Sequence, residues 1–230
     1  MSWTEMPMAA FDLETTGPNP MFTRIVTACV ARIDGKDINT RNWLLYPDMD
    51  IPEGATKVHG VTTEHAKEHG QTYADGYKEI RDALTIAWAE GRMVCAYNAS
   101  FDFTIIDREG RRLGYDPLVF GPIFDPFVVD RAVDKYRKGK RTLSVTCEYY
   151  GIPLTDAHDA AADALAAARL AWVLGRANPG IGQLTIEELM AKQADWHHER
   201  QTDFANYLRR EGKDASDVNA DWPIRIDGAA

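Results

Sequence analysis

Phe11-Asp12-Leu13-Glu14-Thr15-Thr16-Gly17 closes an apolar run that begins at residue 8, and Pro18-Asn19-Pro20 after it breaks regular structure. The stretch reads as a β-strand that ends in a loop. Side chains alternate between the faces of a strand, so Asp12 and Glu14 share one face while Phe11 and Leu13 share the other. Two carboxylates are thereby set side by side. Like charges that close repel, and withdrawing them from water is costly unless a cation or a proton compensates. A divalent metal would resolve the conflict. On this pair alone a second reading stays open, in which Glu14 has already left the strand and both acids are solvated.

Working outward, residues 25–33 are rich in Val, Ile and Thr, Asp34-Gly35 follows, and Trp43-Leu44-Leu45-Tyr46 precedes Pro47. This predicts a β-hairpin beside the first strand. After Pro52, Thr62-Thr63-Glu64 opens a short helix, and residues 73–90 carry Tyr77, Ile80, Leu84 and Trp88 at helical spacing, closed by Gly91. Residues 93–97 read as a fourth strand, followed by Asn98 or Ser100 capping a helix that turns Phe101, Ile105 and Ile106 toward the core. A shorter fifth strand falls within 119–124. Helices follow over 128–136, 143–150, about 159–174 and about 186–210. Three strands and then alternating helix and strand predict an α/β fold, a mixed sheet flanked by helices with a helical C-terminal extension.

Two more acids stand at element ends. Asp102 falls in the first turn of the helix after the fourth strand, and ligand sites in α/β sheets lie near such junctions. An acid there also complements the helix macrodipole, so alone it is weak evidence. Asp163 sits on a helix whose next eleven residues carry only Arg169 as a charged position, so this carboxylate lies on a largely buried helix and calls for a partner. His158, five residues earlier, would lie about 140° around a continuous helix. A place in the loop before the first turn would let it lean over the same site. Asp159, four residues before Asp163, could share its helix face but, at the helix start, serves the macrodipole.

The chain has 230 residues, 45% hydrophobic and 27% charged, enough for one substantial core. Its net charge of −9 excludes a protein that coats nucleic acid by bulk electrostatics. Lys135, Arg137, Lys138, Lys140 and Arg141 form a local basic patch that reads equally as a solvated loop or a phosphate contact. Cys29, Cys95 and Cys147 lack metal or disulfide spacing. With no long apolar span and no basic-then-apolar N-terminus, a cytoplasmic protein is expected, with no membrane partner. Leu184, Leu189, Trp196, Phe204 and Leu208 are expected to pack the extension on the core, and His197-His198 to be exposed polar residues.

Phe11 to Gly17, Asn98-Ala99-Ser100-Phe101-Asp102, and His158 with Asp163 together resemble the three motifs of DEDDh 3′→5′ exonucleases, in order and spacing. The nearest type is the proofreading (epsilon) subunit of bacterial DNA polymerase III and its stand-alone relatives. Val58-His59-Gly60-Val61-Thr62 resembles a groove-lining segment of the family. The resemblance covers about residues 6–175; it divides the chain into an exonuclease domain over 6–178 and a helical extension over 183–230, which matches no polymerase-binding tail. It implies a ribonuclease H-like fold with a five-stranded mixed sheet, and removal of nucleoside monophosphates from 3′ ends of single-stranded or frayed DNA. Asp12, Glu14, Asp102 and Asp163 become ligands of two divalent cations, Mg²⁺ or Mn²⁺, and His158 the general base. Thr15, Thr16, His59, Asn98 and Phe101 become candidates for holding the terminal nucleotides, and a DNA polymerase or another replication protein becomes a candidate partner. Tyr97 departs from the histidine of many relatives at a non-catalytic position. The competing readings are an RNA-trimming exonuclease, a non-catalytic nucleic-acid-binding module associated with a polymerase, and an internal-cutting nuclease, which His158 disfavours.

Overall fold

The structure, a computed structural model, describes residues 2–154 and 157–226. β1 (Met8–Thr15) alternates as expected: Phe11 and Leu13 enter one core layer, while Ala10 faces a second on the other side of the sheet. β2 (Ile25–Asp34) and β3 (Asp37–Leu44) form the hairpin, and its two-residue loop places Gly35 first, at φ +64°. A glycine adopts that left-handed backbone without steric cost. β3 is an edge strand, exposed along its length until the buried Trp43 and polar there except for Ile38, which suits an unpaired edge.

Three helices lead to the fourth strand: α1 (Glu53–His59), α2 (Thr63–His69) and α3 (Tyr73–Ala89). α1 was not anticipated; it buries no residue fully, so it has no apolar period to read, and only Gly60 at φ +78° marks its end. β4 (Met93–Cys95) runs into α4 (Ala99–Arg112), and β5 (Ile123–Phe124) into α5 (Pro126–Val133). α6 (Leu143–Tyr149), α7 (Ala160–Ala177), the single turn α8 (Pro179–Gly182) and α9 (Ile186–Arg210) complete the chain. α9 begins on a capping box, with Thr185 Oγ1 accepting from the Glu188 amide and the Glu188 carboxylate accepting from the Thr185 amide, worth about 1 kcal/mol.

The five strands lie in the order β3-β2-β1-β4-β5, so β1 is central. β1 is antiparallel to β2 and parallel to β4, which is parallel to β5. Tyr77, Ile80 and Leu84 of α3 and Phe103 and Ile106 of α4 cover one face; Val129 of α5, Cys147 of α6 and Ala164, Ala167 and Leu170 of α7 cover the other. This is a ribonuclease H-like α/β fold with a helical C-terminal part. All three cysteines are buried and free, and burial pushes the thiols of Cys29 and Cys147 up to about 12 and about 11. Among the described residues no helix is long and apolar enough to cross a membrane.

Of the residues expected to pack the C-terminal segment on the core, Leu189 is fully buried and Leu184 and Trp196 lie against the α7 layer, whereas Phe204 and Leu208 are half-buried beside surface cavities. Trp222 and Ile224 reach the opposite layer, and the Arg225 amide donates to Thr104 Oγ1 of α4 at 2.9 Å. His197 corrects the expectation of exposure. Only 5% of its surface is accessible, because the segment around Asn219 folds over it. The basic patch is corrected too: Arg141 Nη1 and Arg137 Nη2 turn inward onto Asp130 Oδ2, at 2.6 and 2.7 Å, and Lys135 pairs with Glu199. Asp130 is fully buried, and a charge in that position demands such partners. Lys138 and Lys140 alone of the five remain outside these pairs, both exposed.

Candidate active site

The site exists because β4 is short. It pairs with β1 only from Met8 to Ala10 and leaves the sheet after Cys95, whereas β1 continues to Thr15. Asp12 and Glu14 therefore stand on the central strand beyond the end of its parallel neighbour, at the carboxyl edge where α/β sheets bind ligands. Glu14 lies within β1, opposite Thr27 and just before the irregularity between Glu14 and Thr15, so the solvated-loop reading does not hold.

Asp102 reaches this edge from the α4 side through a tight turn. Asn98 adopts the left-handed conformation, φ +62°, which Asn tolerates better than most residues. Its side chain makes no cap bond; the turn is held by Asp125 instead. Oδ1 of Asp125 accepts from the Asn98 amide at 2.9 Å and Oδ2 from the Ala99 amide at 2.9 Å, while Oδ1 also caps α5 through the Phe127 amide at 3.0 Å. Gln193 of α9 locks Asp125 in turn: its Oε1 accepts from the Asp125 amide at 2.6 Å and its Nε2 donates to Ile123 O at 2.9 Å. Trp222 Nε1 donates to Asp125 Oδ2 at 3.4 Å. Sequence reasoning missed Asp125 and Gln193. Asp125-Pro126 is a legible helix start, but its grip on a turn 27 residues upstream is not local information.

Asp163 approaches from the other face of the sheet, on the first turn of α7. Asp159 is the N-cap, accepting from the Ala162 amide at 2.9 Å, so it serves the helix start as expected. His158 precedes it at φ +72°, and its amide donates to Asp163 Oδ2 at 3.1 Å. Its exposed imidazole leans back over the acids: ligand atoms of Glu14, His158 and Asp163 lie within 4.8 Å of one another.

Electrostatically the four acids are unfavourable together. Burial, reinforced by the charges of Asp102, Asp163 and Glu14, pushes Asp12 well above the usual carboxylate range. Glu14 rises to about 7 through burial and then Asp163 and Asp159. Burial raises Asp102, 3% exposed, against hydrogen bonds from its own amide and that of Leu13. Burial raises Asp163 as well, opposed by the His158 amide. Oδ1 of Asp163 is buried without a hydrogen-bond partner. An unpartnered buried oxygen, three further carboxylates and one imidazole suit a hard divalent cation.

The other anticipated residues border this edge. Thr15 Oγ1 donates to Gly17 O at 2.9 Å, and Thr16 Oγ1 accepts from the Arg24 amide at 2.9 Å, so both hydroxyls brace the loop after β1. His59 accepts at Nδ1 from the Val61 amide and shares with His158 the walls of a cavity of about 350 Å³. Burial lowers its pKa, which keeps the imidazole neutral at pH 7. Phe101 is half-buried against the α3–α4 layer. Tyr97 docks the loop before α6, donating to Arg141 O at 2.7 Å.

A central strand whose acids meet others from helices on both faces gives this ribonuclease H-like fold a carboxylate cluster at one edge of its sheet. The chain belongs to the RNase_T exonuclease family, whose model, described as Exonuclease, matches residues 9–171. It is similar to the PolC-type DNA polymerase III of Staphylococcus haemolyticus, 27% identical over 162 residues, which cover 69% of this chain and 11% of that protein. The chain thus spans about a tenth of the length of this relative. Among solved structures, E. coli exonuclease I in complex with a dT13 oligonucleotide superposes with a TM-score of 0.67 at 23% identity, over 76% of this chain and 42% of that one. A further exonuclease I structure gives 0.68 at 22% identity with the same coverage. At such identity the likeness is one of fold, and it agrees with the DEDDh resemblance of the three motifs.

Proposed function

We propose that the chain is a metal-dependent 3′→5′ exonuclease that removes nucleoside monophosphates from the 3′ ends of single-stranded or frayed DNA. One observation carries this: four carboxylates from three separate segments converge with one histidine at the end of the central strand, each acid raised by burial and by its neighbours. Asp12, Glu14, Asp102 and Asp163 hold two divalent cations, Mg²⁺ or Mn²⁺. When bound, the cations supply a water of lowered pKa and neutralise charge on the departing 3′ oxygen.

The remaining roles belong to the chain itself. His158 takes the proton of the attacking water, its backbone tied to Asp163 and its ring open to solvent. Asp163 orients His158 through the same bond. Thr15 and Thr16, stiffened by the loop bonds, with His59, Asn98 and Phe101, line the groove for the terminal nucleotides. A half-buried ring such as Phe101 stacks on any base, so little sequence preference is expected. DNA is favoured over RNA by the polymerase and oligonucleotide named for the similar proteins. A replicative polymerase is the partner class this similarity points to, and a cytoplasmic setting goes with it. We read residues 6–178 as the exonuclease domain and 183–230 as its extension, residues 227–230 lying outside those described.

The test is digestion of a 5′-labelled single-stranded DNA with Mg²⁺ or Mn²⁺, compared with Asp12→Ala and with EDTA. A ladder shortening from the 3′ end, absent from both controls, is expected. An uncut DNA beside a shortened RNA would replace the substrate, and two uncut strands would replace the exonuclease with a binding module.

A further inference from the structure

Outside the carboxylate cluster, α5 and the middle of α9 face one another across a cavity of about 470 Å³. Its walls combine rings and cations. Arg131 lies over the Phe127 ring at 4.5 Å and Arg200 over the Phe204 ring at 5.3 Å, with Trp196 beside them. Lys135 also lines it but is matched by Glu199 at 3.0 Å, and Asp203 stands exposed at the rim. Among the described residues neither Arg131 nor Arg200 pairs with a carboxylate, although the chain holds 35 acids against 26 Lys and Arg.

Arg131 is the more informative of the two. Its Nε is buried and has no hydrogen-bond partner, and a buried donor left without one costs about 1–3 kcal/mol. Burial lowers its pKa, the charges of Arg200 and Arg141 add to the effect, and Tyr97 and the buried Asp130, already held by Arg137 and Arg141, oppose it. Guanidinium groups that converge without an acceptor are relieved by an anion between them, and their planar donors match phosphate oxygens. Aromatic walls next to them offer a stacking surface for a planar base.

We propose that this cavity is a nucleotide subsite, in which Arg131 and Arg200 hold a phosphate ester and Trp196 and Phe204 take the attached base. The inference goes beyond the exonuclease reading, because it rests on the arginines and rings and not on the carboxylates. The nucleotide has two possible sources, a free mononucleotide or one unit of a bound strand. Position favours the strand: Phe127, whose ring lies under the Arg131 guanidinium, packs edge-on against Tyr97 at 5.5 Å, one residue before the Asn98 turn.

The experiment uses the full chain in EDTA, so that no hydrolysis runs and a failure of the exonuclease reading stays separate. Binding of a fluorescent 12-nucleotide single strand and of dAMP is measured for the wild type, Arg131→Met and Arg200→Met. Loss of one charge-assisted contact is expected to weaken binding about tenfold. Weakening of the strand alone assigns the subsite to bound nucleic acid; weakening of dAMP as well assigns it to free nucleotides too. Both probes binding both variants within about twofold of wild type, or no wild-type binding of either probe, would overturn the proposal. Arg200 is exposed, so Arg200→Met decides the matter if Arg131→Met unfolds.

Discussion

Asp125→Asn keeps the shape of the side chain and turns one acceptor oxygen into a donor. Oδ1 accepts from Asn98, Phe127 and Val128, and Oδ2 from Ala99 and Trp222, so either amide orientation sets an NH₂ against N–H groups. In the less damaging orientation the new NH₂ replaces Oδ2, and the buried Ala99 amide loses its acceptor. A buried donor without a partner costs about 1–3 kcal/mol, and bonds to an ionised acceptor are the stronger kind. Burial pushes the Asp125 carboxyl up to about 6, so at pH 8 the wild-type acceptor is charged. Taking about 2 kcal/mol, the Tm of a chain this size falls by about 4–8 °C. The larger effect falls on the rate, because the same turn carries Asp102 to the site and a displacement of about 1 Å costs about a hundredfold. Thermal unfolding by circular dichroism at pH 8 and the rate of 3′ shortening measure the two effects. A variant that melts with the wild type and digests at its rate would refute the chain of reasoning from Gln193 through Asp125 to Asp102.

Glu14→Gln tests the repulsion among the acids. Glu14 titrates near 7 in the metal-free fold and near 4.5 unfolded, so between these values the fold holds a proton that the unfolded chain has released, and stability falls as pH rises. In EDTA at pH 8 the variant is expected to melt above the wild type and to lose the Tm gain that Mn²⁺ confers; an unchanged Tm would remove the electrostatic argument. His158→Ala is expected to slow turnover by about 10²–10⁴-fold while calorimetry still shows metal uptake, and turnover equal to wild type would sink the general-base role. Arg141→Met strips the buried Asp130 of its closest cation, leaving Arg137, and should cost about 3 kcal/mol by urea unfolding with strand affinity unchanged. Lost affinity without lost stability would restore the reading of residues 135–141 as a phosphate patch.

Much of the architecture was legible because it is local. Alternation around Phe11 and Leu13 placed Asp12 and Glu14 on one face, Asp34-Gly35 placed the hairpin turn, and the helix expected over about 186–210 coincides with α9. The order of the three acidic motifs made the family readable before any coordinates. A short apolar run says nothing of where the neighbouring strand stops, and it is the end of β4 at Cys95 that opens the space beside Asp12. Burial likewise depends on what arrives from elsewhere: the segment near Asn219 hides His197, and Asp130 draws Arg137 and Arg141 out of an apparently solvated basic run. The chain alone thus singled out Asp12, Glu14, Asp102, Asp163 and His158 as candidates, since periodicity and turn preferences act over a few residues. Tertiary structure decided which of them meet and what holds them there, because the Gln193–Asp125–Asn98 contacts join segments 68 and 27 residues apart, a separation at which no local preference operates.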